Sequence, residues 1–285
     1  MHVLQLVAQR LPFVVLIGGF GLLFVAEILL PATTPAIRVQ RRIPRNLMVG
    51  GLYVVLGALI GSLLGLVSYW TYRHHLGLFH YLRLPLWGKI VLGVILIDLE
   101  EYWRHRISHV VPWIWKVHRL HHTDPFMDVT TTLRNHPLHW IVIVPRVCII
   151  PLLGLTPTVL AIHSAIALAV QYFHHSNLHL PPAVEAVLGQ IIVTPDRHFV
   201  HHGTQRKYND TQYAITLILW DRLFGTMPAP ADRQTWALGL DNFESPREQT
   251  FLGMALSPLE DDKRSRWYRF FTRQPAVVSA DSMPG

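Results

Sequence analysis

The sequence predicts an all-α, integral-membrane helical bundle of about four membrane helices under a cytosolic, histidine-rich helical cap. Three observations predict it. Only 15% of the 285 residues are charged and 51% are hydrophobic, whereas a soluble domain carries about 25% charged residues. Long apolar runs recur before Pro181. The 18 histidines gather largely in short clusters, at helical spacing, beyond the ends of those runs.

The first run, Leu11 to Pro31 ("LPFVVLIGGFGLLFVAEILLP"), is long enough to cross a bilayer as a helix, which takes ~20 residues. A cleaved signal peptide is the competing reading, but the run is too long and no clean small-x-small site follows. Glu27 inside it belongs near the interface or against another helix. Arg38, Arg41, Arg42 and Arg45 follow and mark the cytoplasmic side. Leu47 to Trp70 is the second span. Its Gly57, Gly61 and Gly65 recur every four residues, a stripe that lets another helix approach. A polar linker, "TYRHHLGLFHYLR", precedes a third helix that starts at Leu86 and continues past Leu99 to His109.

Two shorter apolar segments come next, about Leu138 to Leu155 and Thr158 to Phe173, punctuated by Gly154 and Pro157. A hairpin dipping into the bilayer and two full spans are equal readings. Both return the chain to the side it left. The predicted organisation is therefore residues 1–97 as N-terminal membrane helices and residues 98–227 as a catalytic domain with a membrane hairpin at about 138–173. Residues 228–285 follow as a cytosolic tail.

The net charge of +7 sits mostly in short loops. Loops beside anionic lipid account for it better than nucleic-acid binding does. A single cysteine, Cys148, excludes an internal disulfide and a thiolate metal site, and reads as an apolar filler.

The histidine clusters are "HRISH" (His105, His109), "HRLHH" (His118, His121, His122) and "HFVHH" (His198, His201, His202). Residues three or four apart share a helix face, so each cluster aims its imidazoles at one point. At a histidine frequency of 18 in 285, H-x-x-H-H should occur roughly 0.07 times by chance; it occurs twice. Eight nitrogen donors suffice for two metal ions with open positions, and imidazole suits iron, zinc, copper and nickel. Spans two and three place all three clusters on the cytoplasmic side.

His175 and His179, in "HHSNLH", are further candidate ligands at the end of the hairpin, beside His174. His136 is a candidate for orienting a ligand. His139, His163, His2, His74, His75 and His80 read as packing or interfacial residues. Asp98, Glu100 and Glu101 have two equal readings: ligation or orientation of an imidazole, and exposed helix-face charge.

With these residues in place, the chain resembles the fatty acid hydroxylase / sterol desaturase superfamily of membrane di-iron oxygenases. "DLEEYWRHRISH", "WKVHRLHHTD", "TTLRNHPL", "HHSNLHLP", "TPDRHFVHH" and "LWDRLFGTM" carry the resemblance, in the family's order, from Asp98 to Met227. The resemblance implies two iron ions, for which zinc substitutes in a preparation. It implies as ligands His105, His109, His118, His121, His122, His198, His201 and His202, with His175 at the family's His-Ser-Asn stretch. It also implies dioxygen as oxidant and a lipid or sterol-like substrate. Two departures stand out: His139 where a carboxylate commonly follows "HPL", and "DTQYAITL" ahead of the Trp-Asp, which reads as an altered pocket rim.

The expected activity is hydroxylation, which removes one hydrogen where desaturation removes two. Ether-lipid cleavage and sterol or carotenoid oxidation are alternatives within the superfamily. A membrane metal transporter or sensor is the rival from another class, disfavoured because the ligands lie beyond the span ends. A hydrolase is disfavoured because the histidines outnumber the three ligands usual at a catalytic zinc. With no dinucleotide fingerprint, electrons must come from a separate ferredoxin, cytochrome or flavin reductase. Arg104, Arg106, Lys116, Arg119, Arg197 and Lys207 are candidates for docking an acidic carrier.

Overall fold

Proline opens six of the twelve described α-helices. Its fixed φ suits the first turn, where its missing N–H costs nothing. The computed structural model describes residues 10–34, 42–228, 236–240 and 249–260, and among them it is helical with no β-strand. Arg38, Arg41 and most of the predicted C-terminal tail lie outside the described residues.

Helix α1 spans Arg10–Leu29 and contains a π-helical segment at Val15–Gly19. Helix α2 is Ile43–Arg73, α3 is Leu78–Tyr81 and α4 is Leu86–Val110. Helix α5 is Pro112–His122. Short 3₁₀ turns at Val129–Leu133 and Pro137–Ile143 lead into α6, Val144–Leu153, and α7, Pro157–His175. Helices α8 (Pro182–Leu188), α9 (Pro195–His201), α10 (Arg206–Asn209), α11 (Leu219–Phe224) and α12 (Phe251–Leu256) complete the described chain. Gly154, at φ 72°, ends α6 in the left-handed conformation that glycine adopts without strain; α6 then packs against α2, and α7 packs against α4.

Helices α1 and α2 are long and apolar enough to cross a bilayer. Only 6% and 17% of their apolar windows are buried, so they are not the core helices of a soluble fold. Ile17, Leu22, Val55 and Leu59 are exposed along them, an outward apolar face that suits lipid. The apolar helix at Pro137–Leu153 is shorter than a full crossing. Helix α4 runs unbroken from its apolar start through the first histidine cluster.

Helix α1 is tied into the fold. The buried Glu27 carboxylate accepts the backbone N–H groups of Val129 (3.1 Å) and Asn177 (3.0 Å). Tyr172 of α7 packs edge-on against Phe20. Arg42 is buried as well: it pairs with Asp124 at 3.0 Å and with Asp128. Its charge therefore serves as an internal clamp rather than as a free mark of the cytoplasmic face. Arg134 extends the clamp by donating to Asn46 Oδ1 (3.0 Å) and Gln249 Oε1 (2.8 Å).

Several expectations need correction. Of the glycine stripe only Gly57 meets a neighbour, the Trp140 ring, while Gly61 and Gly65 face open space. The close approach on α2 is instead at Gly50, where an added Cβ would fall 2.4 Å from Leu133 Cβ. Cys148 is exposed, not a core filler. Asp98 and Glu101 are buried, which removes the exposed-charge reading. Glu101 pairs with Arg104 and Arg146, each at 3.0 Å, and Glu100 also pairs with Arg146.

Candidate metal centre

Helix geometry brings the three clusters together as their spacing requires. Helix α4 supplies His105 and His109, α5 supplies His118, His121 and His122, and α9 supplies His198 and His201, with His202 at its end. Helix α7 adds His175 from its last turn. All nine rings are buried. They divide into two groups: His105, His109, His118, His122 and His201 in one, and His121, His175, His198 and His202 in the other.

Within the groups the Nε2 atoms face each other. His201 and His105 stand 3.2 Å apart, His118 and His109 3.1 Å, His198 and His175 3.0 Å, and His202 and His198 3.1 Å. Nitrogens about 2.1 Å from a shared ion stand about 3.0–3.4 Å apart, depending on the coordination angle.

The tautomers make the metal fit specific. His105 Nδ1 lies 2.9 Å from the Tyr213 carbonyl and His201 Nδ1 2.6 Å from the Thr211 carbonyl. A carbonyl only accepts, so each Nδ1 carries the proton and each Nε2 presents a bare lone pair. His175 Nδ1 lies 2.7 Å from the Gln171 carbonyl. His198 Nδ1 lies 2.5 Å from Gln212 Oε1. The Gln212 amide is fixed by its own donation to Ala214 O and Asp221 Oδ2. Each group thus contains two lone pairs pointed at one another. A cation between them resolves that repulsion, so the residues present fit a metal ion in each group.

A proton is the poorer alternative. Burial, the largest effect, pushes the imidazoles of His105, His118, His122, His175, His198, His201 and His202 well below their ordinary range. It takes His121 from 6.5 down to about 4. The sign of the pH dependence follows. The unfolded chain protonates near 6.5 and the folded chain far lower, so acid favours the unfolded state. Thermal stability is expected to fall, and bound metal to be released, as pH drops from about 6.5 towards 4. A pH series of melting curves with parallel metal analysis checks this.

A collar of consecutive residues holds the outer sides of these rings. The Asn209 amide lies 3.1 Å from His122 Nδ1, and Asp210 Oδ1 lies 3.7 Å from His109 Nδ1. Thr211, Gln212 and Tyr213 face His201, His198 and His105, as described. The segment read as an altered rim is thus the inner support of the centre. Gln212 sits at φ 50°, in the left-handed region that side chains other than glycine rarely adopt. Asp221 fixes the collar by accepting from Tyr213 N (2.8 Å), Ala214 N (3.2 Å) and Thr226 Oγ1 (2.7 Å). Trp220 donates to Asp98 Oδ2 at 2.8 Å. This is the physical content of "WDRLFGT". Gln212→Leu, which removes the acceptor from His198, is expected to weaken metal binding about 10–100-fold, as chelator competition would measure.

The structure does not bring His179 to either group. Its side chain is 63% exposed, 3.9 Å from Asp196. Helix α7 ends at His175 and Ser176 turns the backbone extended, so the four-residue spacing no longer shares a face. His139 and His174, outside the predicted ligand set, lie against ligand candidates: His139 stacks on His118 at 4.7 Å and His174 tilts against His198 at 4.0 Å. His136 accepts from Leu138 N and contacts Ala255 O, so it caps a turn rather than orienting a ligand. Arg106 and Arg119 are buried and unavailable for docking a carrier; Arg119 donates to the carbonyls of Ser257 and Glu260.

An apolar cavity of about 760 Å³ lies behind α4. Leu96, Leu99, Trp103 and Ile107 line it, on the face of α4 opposite His105 and His109. Ile114 of α5 and Val142 complete its wall on the far side.

Residues 90–226 match the family model described as fatty acid hydroxylase. These residues form a fatty acid hydroxylase domain. The fatty acid hydroxylase domain includes all nine convergent histidines. The chain is 34% identical to an alkylglycerol monooxygenase of Danio rerio over 171 residues, which cover 56% of this chain and 35% of that protein. It is 35% identical to the alkylglycerol monooxygenase of Homo sapiens over 158 residues, 53% of this chain and 33% of that one. An ornithine lipid hydroxylase of Rhizobium tropici is 28% identical over 160 residues, 55% of this chain and 46% of that protein. The matched stretch spans about a third of the length of the alkylglycerol monooxygenases. No solved structure matches the chain.

Proposed function

We propose that this protein is a membrane-bound di-iron monooxygenase that hydroxylates the hydrocarbon chain of a lipid, with dioxygen as oxidant and electrons from a separate reductase. The observation that carries the reading is the pair of facing histidine groups, each with opposed lone pairs that call for a cation. His105, His109, His118, His122 and His201 would hold one ion, and His121, His175, His198 and His202 the other. Bound there, iron supplies activation of dioxygen and attack on an unactivated C–H bond. The chain's own residues do the rest. The Thr211 and Tyr213 carbonyls and the Gln212 amide oxygen hold His201, His105 and His198 neutral and aimed inward. The apolar cavity lined by Leu99, Trp103, Ile107 and Ile114 would take a lipid tail.

The relatives' names guide the substrate class. One set acts on alkylglycerols and the other on ornithine lipids, so a glycerol ether lipid or an amino lipid is the substrate proposed. The exposed α1 and α2, with α6, α7 and the start of α4, would form the part seated in the membrane, with the histidine cap on the cytoplasmic side.

The test is lipid profiling under ¹⁸O₂ of membranes containing the wild type or His121→Ala, with iron measured in both. The expected result is label in a membrane lipid with the wild type alone. Identical lipids from an iron-loaded wild type and the variant would overturn the proposal.

A further inference from the structure

A second polar cluster lies outside the histidine core. Asp98 and Glu101 stand one turn apart on α4, and His163 faces them from α7. Their ligand-capable atoms lie within 4.8 Å of one another, and all three residues are buried. His163 is 2% exposed and its Nε2 has no hydrogen bond. Neither has Asp98 Oδ1 nor Glu101 Oε2. Such orphaned groups are rare in a native interior, and three converging ones call for an occupant.

The other oxygens are already committed. Asp98 Oδ2 accepts from Leu217 N (3.1 Å) and Trp220 Nε1 (2.8 Å). Glu101 Oε1 accepts from Arg104 and Arg146, both at 3.0 Å. The inward atoms are therefore held in place by the fold. His163 Nε2 stands 3.7 Å from Glu101 Oε2. That is too long for a hydrogen bond. It matches two ligands about 2.1 Å from one ion at an angle of about 120°. With His163 neutral, the carboxylates of Asp98, Glu100 and Glu101 exceed the guanidinium charges of Arg104 and Arg146 by one (3 − 2 = 1). A cation would offset that buried excess.

We propose that Asp98, Glu101 and His163 form a third cation site, for a divalent transition-metal ion, which rivets α4 to α7 one helical turn before the histidine core. Two carboxylates and one imidazole make a harder donor set than the all-imidazole groups, suited to zinc, manganese or ferrous ion. The site uses none of the core's ligands.

The experiment is metal counting on the full-length protein in detergent, titrated with Zn²⁺ and analysed by mass spectrometry after removal of excess ion. His163→Gln removes the imidazole donor at an Nε2 that has no hydrogen bond to lose. Asp98→Asn keeps an oxygen for Trp220. The expected result is three equivalents in the wild type and two in each variant, with a lower melting temperature. An unchanged count in either variant overturns the assignment. A wild-type count of two that neither variant lowers is the result expected if a shared proton fills the cluster.

Discussion

His198→Ala is expected to strip metal from the histidine core and lower lipid hydroxylation by at least about 100-fold, beyond the 10–100-fold typical of losing an orienting partner. His198 links two other rings of its group. Its Nε2 faces those of both His175 and His202, at 3.0 and 3.1 Å. Removing it breaks both contacts and leaves Gln212 Oε1 buried without its partner. Iron content and product formation should fall together. The contrast is His179→Ala, on an exposed side chain outside the core, which should leave both unchanged. Full iron binding by His198→Ala, or loss in His179→Ala, would contradict the ligand sets.

Asp221→Ala is expected to do nearly as much damage without touching a ligand. The carboxylate is fully buried and accepts from Tyr213 N, Ala214 N and Thr226 Oγ1, with Gln212 Nε2 at 3.3 Å. Truncation leaves those donors unsatisfied, at about 1–3 kcal/mol each where water cannot enter. It also frees the carbonyl of Tyr213 and the amide of Gln212, which fix the tautomers of His105 and His198. The expected outcome is a loss of about 3 kcal/mol or more of stability, with weakened metal binding in whatever protein folds. Differential scanning measurements with and without added Fe²⁺ check it. A variant as stable as wild type with full metal affinity would show that the collar does not orient the core.

The ligand stripes were legible because a helix converts spacing directly into a shared face. His105 and His109, or His118 and His122, need no other information. His179 shows the limit of that inference: its spacing from His175 holds only while the helix lasts, and the helix stops first. Gly61 and Gly65 show another, since periodicity does not distinguish a face turned to a neighbour from one turned to lipid. The collar was harder to see for a different reason. Thr211 and Tyr213 hold imidazoles through backbone carbonyls, which every residue possesses, so their side chains carry no signal. The burial of Arg42 and Glu101 is not legible in the sequence because their partners are remote: Arg42 meets Asp124, and Glu101 meets Arg146. Ion-pair partners that far apart in the chain become visible only once the helices are packed.

X-ray absorption at the iron edge, on protein loaded with two equivalents of Fe²⁺, addresses the metal centre most directly. With five imidazoles around one ion and four around the other, the average iron should show four to five imidazole nitrogens at about 2.1 Å and no sulfur. A first shell dominated by oxygen, or one with fewer than about three imidazoles per iron, would mean that the facing lone pairs are not where the metal binds.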